Sequence, residues 1–164
     1  MLRLSRGDCE HCHRNYNYEL WHAGFGDFTY AYCDTCGLVA TLDEKSGLVA
    51  QLPKVPLQCQ EMDAKWEPYL RPCACGGHFR RGASPRCPYC RQPLSANYAG
   101  THIRQNLPVV PKGWEWQGNW SDVYCLAIED PKQPGALRTV SDPLIDPQSS
   151  GTENTSGSPL GLNK

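Results

Sequence analysis

Phe and Met are scarce in this chain of 164 residues, which has three of the first and two of the second; hydrophobic residues of every kind make up 40 %. So lean a composition does not suit one large hydrophobic core, and small units held by staples are expected instead. No apolar run precedes the first cysteine: Met1-Leu2-Arg3-Leu4-Ser5-Arg6-Gly7 has no secretory character, and no stretch is long and apolar enough to span a membrane. The expected setting is cytoplasmic, where a reducing environment keeps thiols free for metal. Catalytic motifs are missing as well. There is no His-Glu-x-x-His, nucleophile elbow or phosphate-binding glycine loop. The acidic pairs Asp43-Glu44 and Glu129-Asp130 fall where turns are expected, a place for solvated carboxylates rather than acid–base work. The expectation is that the protein is not an enzyme.

Acidic residues are absent from one long block. Residues 68–114 hold seven basic groups (Arg71, Arg80, Arg81, Arg86, Arg91, Arg104 and Lys112) and no Asp or Glu, while residues 1–67 and 115–164 each carry a net charge of −4. A basic block between acidic flanks either faces a polyanion or pairs with its own flanks.

What the chain does have is cysteine. Eight of its ten cysteines form four close pairs: Cys9 with Cys12, Cys33 with Cys36, Cys73 with Cys75, and Cys87 with Cys90. Twenty residues separate the first two pairs and eleven separate the last two. Taken in sequence order, the pairs give two foursomes, each with two chelating turns and enough chain between them to fold back as a hairpin. Two Zn²⁺ per chain are expected, because four thiolates make a closed tetrahedral site with no open position for substrate. His11 and His13 flank Cys12 and His78 follows Cys75, but each foursome is complete without them, so they read as surface imidazoles. Cys59 and Cys125 have no partner at chelating distance and read as small core residues.

Periodicity places short elements around these pairs. Tyr16, Tyr18 and Leu20 alternate with polar residues as in a half-buried strand, and Phe28, Tyr30 and Tyr32 set three rings on one face of a second. Residues 24–27 read as the hairpin turn between them. Further strands are expected over 38–42 and 48–52, a helix-compatible segment over 58–66 ended by Pro68, a short strand over 78–81, a short helix after Ser95 and a strand over 123–128. Gly37 suits a positive φ after its cysteine pair. The chain divides into a first metal-closed unit (1–52), a connector (53–68), a second, basic unit (69–94), an extension rich in Trp (95–140) that packs on the two units, and a disordered tail (141–164) dominated by Ser, Gly, Thr, Asn and Pro.

At Cys73-Ala74-Cys75-Gly76-Gly77 and Arg86-Cys87-Pro88-Tyr89-Cys90 the chain resembles zinc-ribbon proteins with rubredoxin-like knuckles. The single residue between Cys73 and Cys75 departs from the usual two, which either distorts that knuckle or passes a ligand role to His78. The fold class is therefore small, metal-stapled and β-rich: two zinc-ribbon-like modules with short helical connectors and a disordered C-terminal tail. The expected activity is binding. An adaptor or accessory protein would present Arg80, Arg81, Arg86 and Arg91 of the second unit to nucleic acid or an acidic protein partner. The alternative that the resemblance implies is a rubredoxin-like redox protein using iron.

Overall fold

The computed structural model describes residues 4–56, 60–94 and 124–145. In chain order these form β1 (Ser5–Asp8), β2 (Asn15–His22), a single helical turn α1 (Ala23–Gly26), β3 (Phe28–Cys33), β4 (Val39–Asp43), 3₁₀ turns at Val49–Gln51 and Ala64–Tyr69, β5 (Phe79–Arg80), β6 (Tyr124–Ile128) and β7 (Thr139–Ser141). Two sheets result. The first has the order β1-β2-β6 and the second β5-β3-β4-β7, with β4 and β7 parallel and the other neighbours antiparallel. Among the described residues no helix is long and apolar enough to cross a membrane.

The turn expected to join β2 and β3 as a hairpin instead carries the chain from one sheet to the other. His22 caps α1, its Nδ1 accepting from the Phe25 N–H at 3.0 Å, and Asp27 ends the turn in the left-handed region at φ 53°. That single turn of helix rotates β3 away from β2. The vacated edge of β2 is taken by β6, with Leu20 opposite Leu126 and Trp21 opposite Cys125.

Strand β3 is buried on both faces, and two cores meet at it. Tyr30 and Tyr32 point into the first core with Tyr16, Tyr18, Val39, Leu126 and Ile128, which joins the two sheets. Ala31 and Cys33 point into the second core with Ala40, Leu42, Met62, Trp66 and Leu70. Segment 48–52 turns as 3₁₀ rather than extending, which lets Val49 and Leu52 cover that second core. In the described part of the segment expected as a helix over 58–66, a 3₁₀ turn begins at Ala64 capped by Asp63, and Pro68 lies inside it rather than ending it. A 3₁₀ turn this short tolerates proline because few of its N–H groups have a partner within the turn.

The first residues of the expected disordered tail are ordered. Ser141 ends β7, the Asp142 N–H donates to the Thr41 carbonyl at 2.8 Å, and the Arg71 N–H donates to the Pro143 carbonyl at 2.7 Å. Val140 and Leu144 pack on the second core, an anchor hidden by the polar composition of the residues after it. The remainder of the tail, the helix expected after Ser95, Cys59, and Trp114, Trp116 and Trp120 lie outside the described residues.

At the edge of the first sheet, β6 is sealed by a side chain. The Leu126 N–H donates to Tyr32 Oη at 2.6 Å, and the same hydroxyl donates to the Leu126 carbonyl at 3.4 Å. Tyr32→Phe leaves both buried groups unpaired and is expected to lower stability by about 1–3 kcal/mol. Denaturant titration with metal analysis checks this: the unfolding midpoint falls while the metal content of the native protein stays the same.

Candidate metal centres

Each cysteine pair sits on a tight backbone turn, and three of the four turns have one hydrogen-bonding scheme. In the first, the His11 N–H donates to Cys9 Sγ at 3.4 Å, the His13 N–H to the Cys9 carbonyl and the Cys9 N–H to the Arg14 carbonyl. Thr35, Gly37 and Leu38 repeat those roles around Cys33, and Tyr89, Arg91 and Gln92 repeat them around Cys87. The residue after the second cysteine is left-handed in every case: His13 (φ 60°), Gly37 (φ 73°), Gly76 (φ 91°) and Arg91 (φ 63°).

The Cys73–Cys75 turn is the same device made one residue shorter. The Gly76 N–H donates to the Cys73 carbonyl, the Cys73 N–H to the Gly77 carbonyl, and the Gly77 N–H to Cys75 Sγ at 3.3 Å. The turn is closed without the histidine: the His78 N–H donates to Asp34 Oδ1, and among the described residues His78 belongs to no ligand group.

All eight paired cysteines gather into two groups of four, but not in sequence order. Cys9 and Cys12 meet Cys87 and Cys90, while Cys33 and Cys36 meet Cys73 and Cys75. The pairing is nested, one group inside the chain loop of the other, and neither group stays within residues 1–52 or 69–94. The first four cysteines therefore do not form one site and the last four another. Antiparallel pairing of β3 with β5 decides it by setting Cys33 opposite Phe79, which brings the second turn to the third. The outer turns are then joined by His11 Nε2, 3.1 Å from the Pro93 carbonyl, and by Arg14, whose guanidinium lies 3.6 Å above the Tyr89 ring centroid.

The sulfur geometry suits a tetrahedral ion. Cys9 Sγ lies 3.6 Å from Cys90 Sγ and Cys12 Sγ 3.7 Å from Cys87 Sγ in the outer group. In the inner group the Cys33–Cys75 and Cys36–Cys73 separations are 3.5 and 3.6 Å. Four thiolates bound at about 2.3 Å stand about 3.8 Å apart, so each group could hold a metal ion with little movement. Each also closes a core: Cys9 and Cys87 belong to the first, and Cys33, Cys36 and Cys73 to the second. Gly77 has no room for a side chain, since a Cβ there would stand 2.6 Å from Cys33 Sγ.

Thiol acidity is split within each group. Burial alone would raise Cys9, but the Cys12 and His11 N–H groups and the neighbouring Cys87 and Cys90 sulfurs outweigh it and bring Cys9 down to about 7. Cys75 likewise falls to about 7, burial being offset by the Gly77 N–H and its three sulfur neighbours. Burial and hydrogen bonds to Cys9 and Cys12 push Cys87 up to about 12, and burial with the Cys36 and Cys75 sulfurs raises Cys73. Cys9 and Cys75 thus ionise more readily than Cys87 and Cys73, and a divalent cation would favour the thiolate form of all four ligands in each group.

Residues 5–96 match a family model described as Domain of unknown function (DUF8255). The chain belongs to that family. No curated protein and no solved structure matches it. The part shared with the DUF8255 family contains all eight paired cysteines, whereas β6 and β7 lie beyond it. Cys125, on β6, is buried and joins neither group; burial pushes its thiol up to about 12.

The four arginines of the basic unit divide between the two groups. On the inner side, Arg80 Nε bonds Asp34 Oδ2 at 3.0 Å, and its Nη1 is 3.5 Å from Glu67 Oε2. The His78 N–H and the Arg80 guanidinium hold the Asp34 carboxyl below its ordinary range. Arg81 donates through Nη1 to the Met62 carbonyl at 3.0 Å and through its N–H to Glu67. On the outer side, Arg86 Nη1 donates to the Arg91 carbonyl at 2.9 Å and Arg91 Nη1 to the Cys36 carbonyl at 3.3 Å. Arg14 comes to the same turn through its contact with Tyr89. It carried no signal in a sequence-order reading, because its nearness to Tyr89 follows from the nested pairing.

Proposed function

We propose that the protein is a zinc-stapled binding module of zinc-ribbon type that binds nucleic acid, with one structural Zn²⁺ in each four-cysteine group and no catalytic role. Four sulfurs close each coordination shell, so the metal holds the fold and offers no position to a substrate. The observation that carries the binding surface is the Arg14 guanidinium, 3.6 Å from the centroid of the Tyr89 ring in the turn of the outer cysteine group that Arg86 and Arg91 flank. Among the described residues Arg91 makes one side-chain bond, and Arg86 makes one through Nη1 while its Nε is buried; the exposed Arg14 and Arg91 guanidinium groups offer their remaining N–H donors to phosphate oxygens. Arg80 and Arg81 are the weaker candidates, since Asp34 and Glu67 already offset the charge of Arg80 and the Arg81 guanidinium is bonded to the Met62 carbonyl.

Titration of labelled single- and double-stranded oligonucleotides at low and moderate salt tests this reading. Affinity is expected to fall steeply with salt, since each neutralised phosphate releases counterions. Arg14→Ala with Arg86→Ala is expected to abolish binding while both ions stay bound at saturating zinc, because neither residue is a ligand. Arg80→Ala with Arg81→Ala is expected to lower stability and leave affinity within about twofold, because exposed ion pairs contribute mainly locally. No binding at low salt refutes the nucleic-acid reading and leaves an acidic protein as the partner to seek. Elemental analysis is expected to give two zinc per chain and a colourless protein; visible absorption bands would instead mean iron and a rubredoxin-like role.

A further inference from the structure

We infer that the two metal centres are coupled, each raising the other's metal affinity through a junction built by Gly37, Arg86 and Arg91. The contact is made by residues adjoining the ligands. Gly37 follows Cys36 of the inner group, and its Cα lies against the backbone just ahead of Cys87 of the outer group: a Cβ at this position would stand 2.4 Å from Arg86 N and 2.7 Å from Arg86 Cβ. Arg91, which follows Cys90, reaches back to the Cys36 carbonyl at 3.3 Å. Arg86 holds the Arg91 carbonyl at 2.9 Å and so closes the junction on the outer side.

Three physical consequences point the same way. Metal in the inner group fixes the Cys33–Cys36 turn, and with it Gly37 and the Cys36 carbonyl that the outer turn packs on. It also shortens the chain that the outer group must close, to the 20 residues between Cys12 and Cys33 and the 11 between Cys75 and Cys87; each halving of a free loop favours closure about threefold. Lastly, a divalent ion held by four thiolates leaves two net negative charges at each centre. The Arg86 and Arg91 side chains stand at the junction between these two anionic clusters and offset a repulsion that would otherwise make the second ion bind less tightly.

Competition against a zinc chelator under reducing conditions measures the coupling. The inner-site constant is taken from Cys9→Ser/Cys90→Ser, the outer-site constant from Cys33→Ser/Cys75→Ser, and the overall two-ion constant from the natural sequence. Independent centres give an overall constant equal to the product of the two single-site constants. Coupling is expected to make it at least tenfold larger, within the range ordinary for linked sites. Arg91→Ala keeps all eight ligands and is expected to cut the overall constant at least threefold, yet to change the inner-site constant by less than twofold in the Cys9→Ser/Cys90→Ser background. Gly37→Ala is expected to act more strongly in the same direction. An overall constant equal to the product overturns the inference. So does an excess that Arg91→Ala and Gly37→Ala both leave intact, since the junction would then carry none of it. A single-site variant that does not fold leaves the Arg91→Ala comparison in the natural background to decide.

Discussion

Cys9→Ser combined with Cys90→Ser is expected to leave one metal ion per chain, whereas Cys9→Ser combined with Cys33→Ser is expected to leave none. The first pair of changes strikes a single group and the second strikes both. A lost thiolate opens a closed site and forfeits much of the free energy that metal contributes to folding, on the order of 10 kcal/mol for a structural zinc site at neutral pH. The second double variant should therefore show little cooperative unfolding. If the sulfurs were grouped in sequence order the two outcomes would exchange, because Cys9 and Cys33 would then share a site. Metal analysis of the two proteins after gel filtration, with circular dichroism melts, reads the result directly. Both changes keep side-chain size nearly constant, so packing contributes little to the contrast.

A chain cut after residue 96 is expected to retain metal and lose the sheets. All eight ligands remain in such a fragment, and so does the whole region that matches the family model. What goes is β6, with Cys125, Leu126, Ala127 and Ile128 all buried, and β7 at the edge of the second sheet. Burying Leu126 and Ile128 alone accounts for about 3–6 kcal/mol, before the ladder with β2 is counted. Domains of this size have only about 5–15 kcal/mol in total. The fragment is expected to bind two zinc ions yet give a poorly dispersed amide NMR spectrum and no sharp thermal transition. A well-dispersed spectrum would mean that residues 5–96 fold alone and that the later strands are accessory.

Local features were legible in the sequence to the extent that local chemistry determines them. The alternation around Tyr16 and Tyr18, the three rings of β3, the Leu-Val-Ala-Thr-Leu run of β4 and the apolar run of β6 each appear as strands where the period implied them. The four cysteine turns were equally plain, since one or two residues between thiols leave the backbone few choices. What failed was partnership. β2 lies next in sequence to β3 but pairs with a strand more than a hundred residues away, and nothing in either strand's pattern names that partner. The cysteine groups failed for the same reason. Loop lengths of 20 and 11 residues permit neighbouring pairs to join, and the choice against it is made by the β3–β5 ladder and the two cores. Pattern was also misleading at 48–52, where the apolar spacing of Leu48 and Leu52 serves a 3₁₀ turn instead of a strand. At Arg80 the sequence left open a polyanion or the acidic flanks as the partner, and the first flank supplies Asp34 and Glu67, which come from segments far apart in the chain.

Nested pairing also bears on how the protein is made. A chain emerges from the ribosome N-terminus first, so for a time Cys9, Cys12, Cys33 and Cys36 are the only paired cysteines outside the tunnel. On the zinc-stapled reading these four would be able to bind an ion together, and such an early complex would have to give up its metal before Cys73 and Cys87 could take their native places. The order of synthesis thus favours a staple that the finished fold has to undo. Refolding should accordingly be slower when zinc is present from the start than when it is added after the chain has collapsed, and stopped-flow tryptophan fluorescence, to which Trp66 of the second core contributes, would follow the difference.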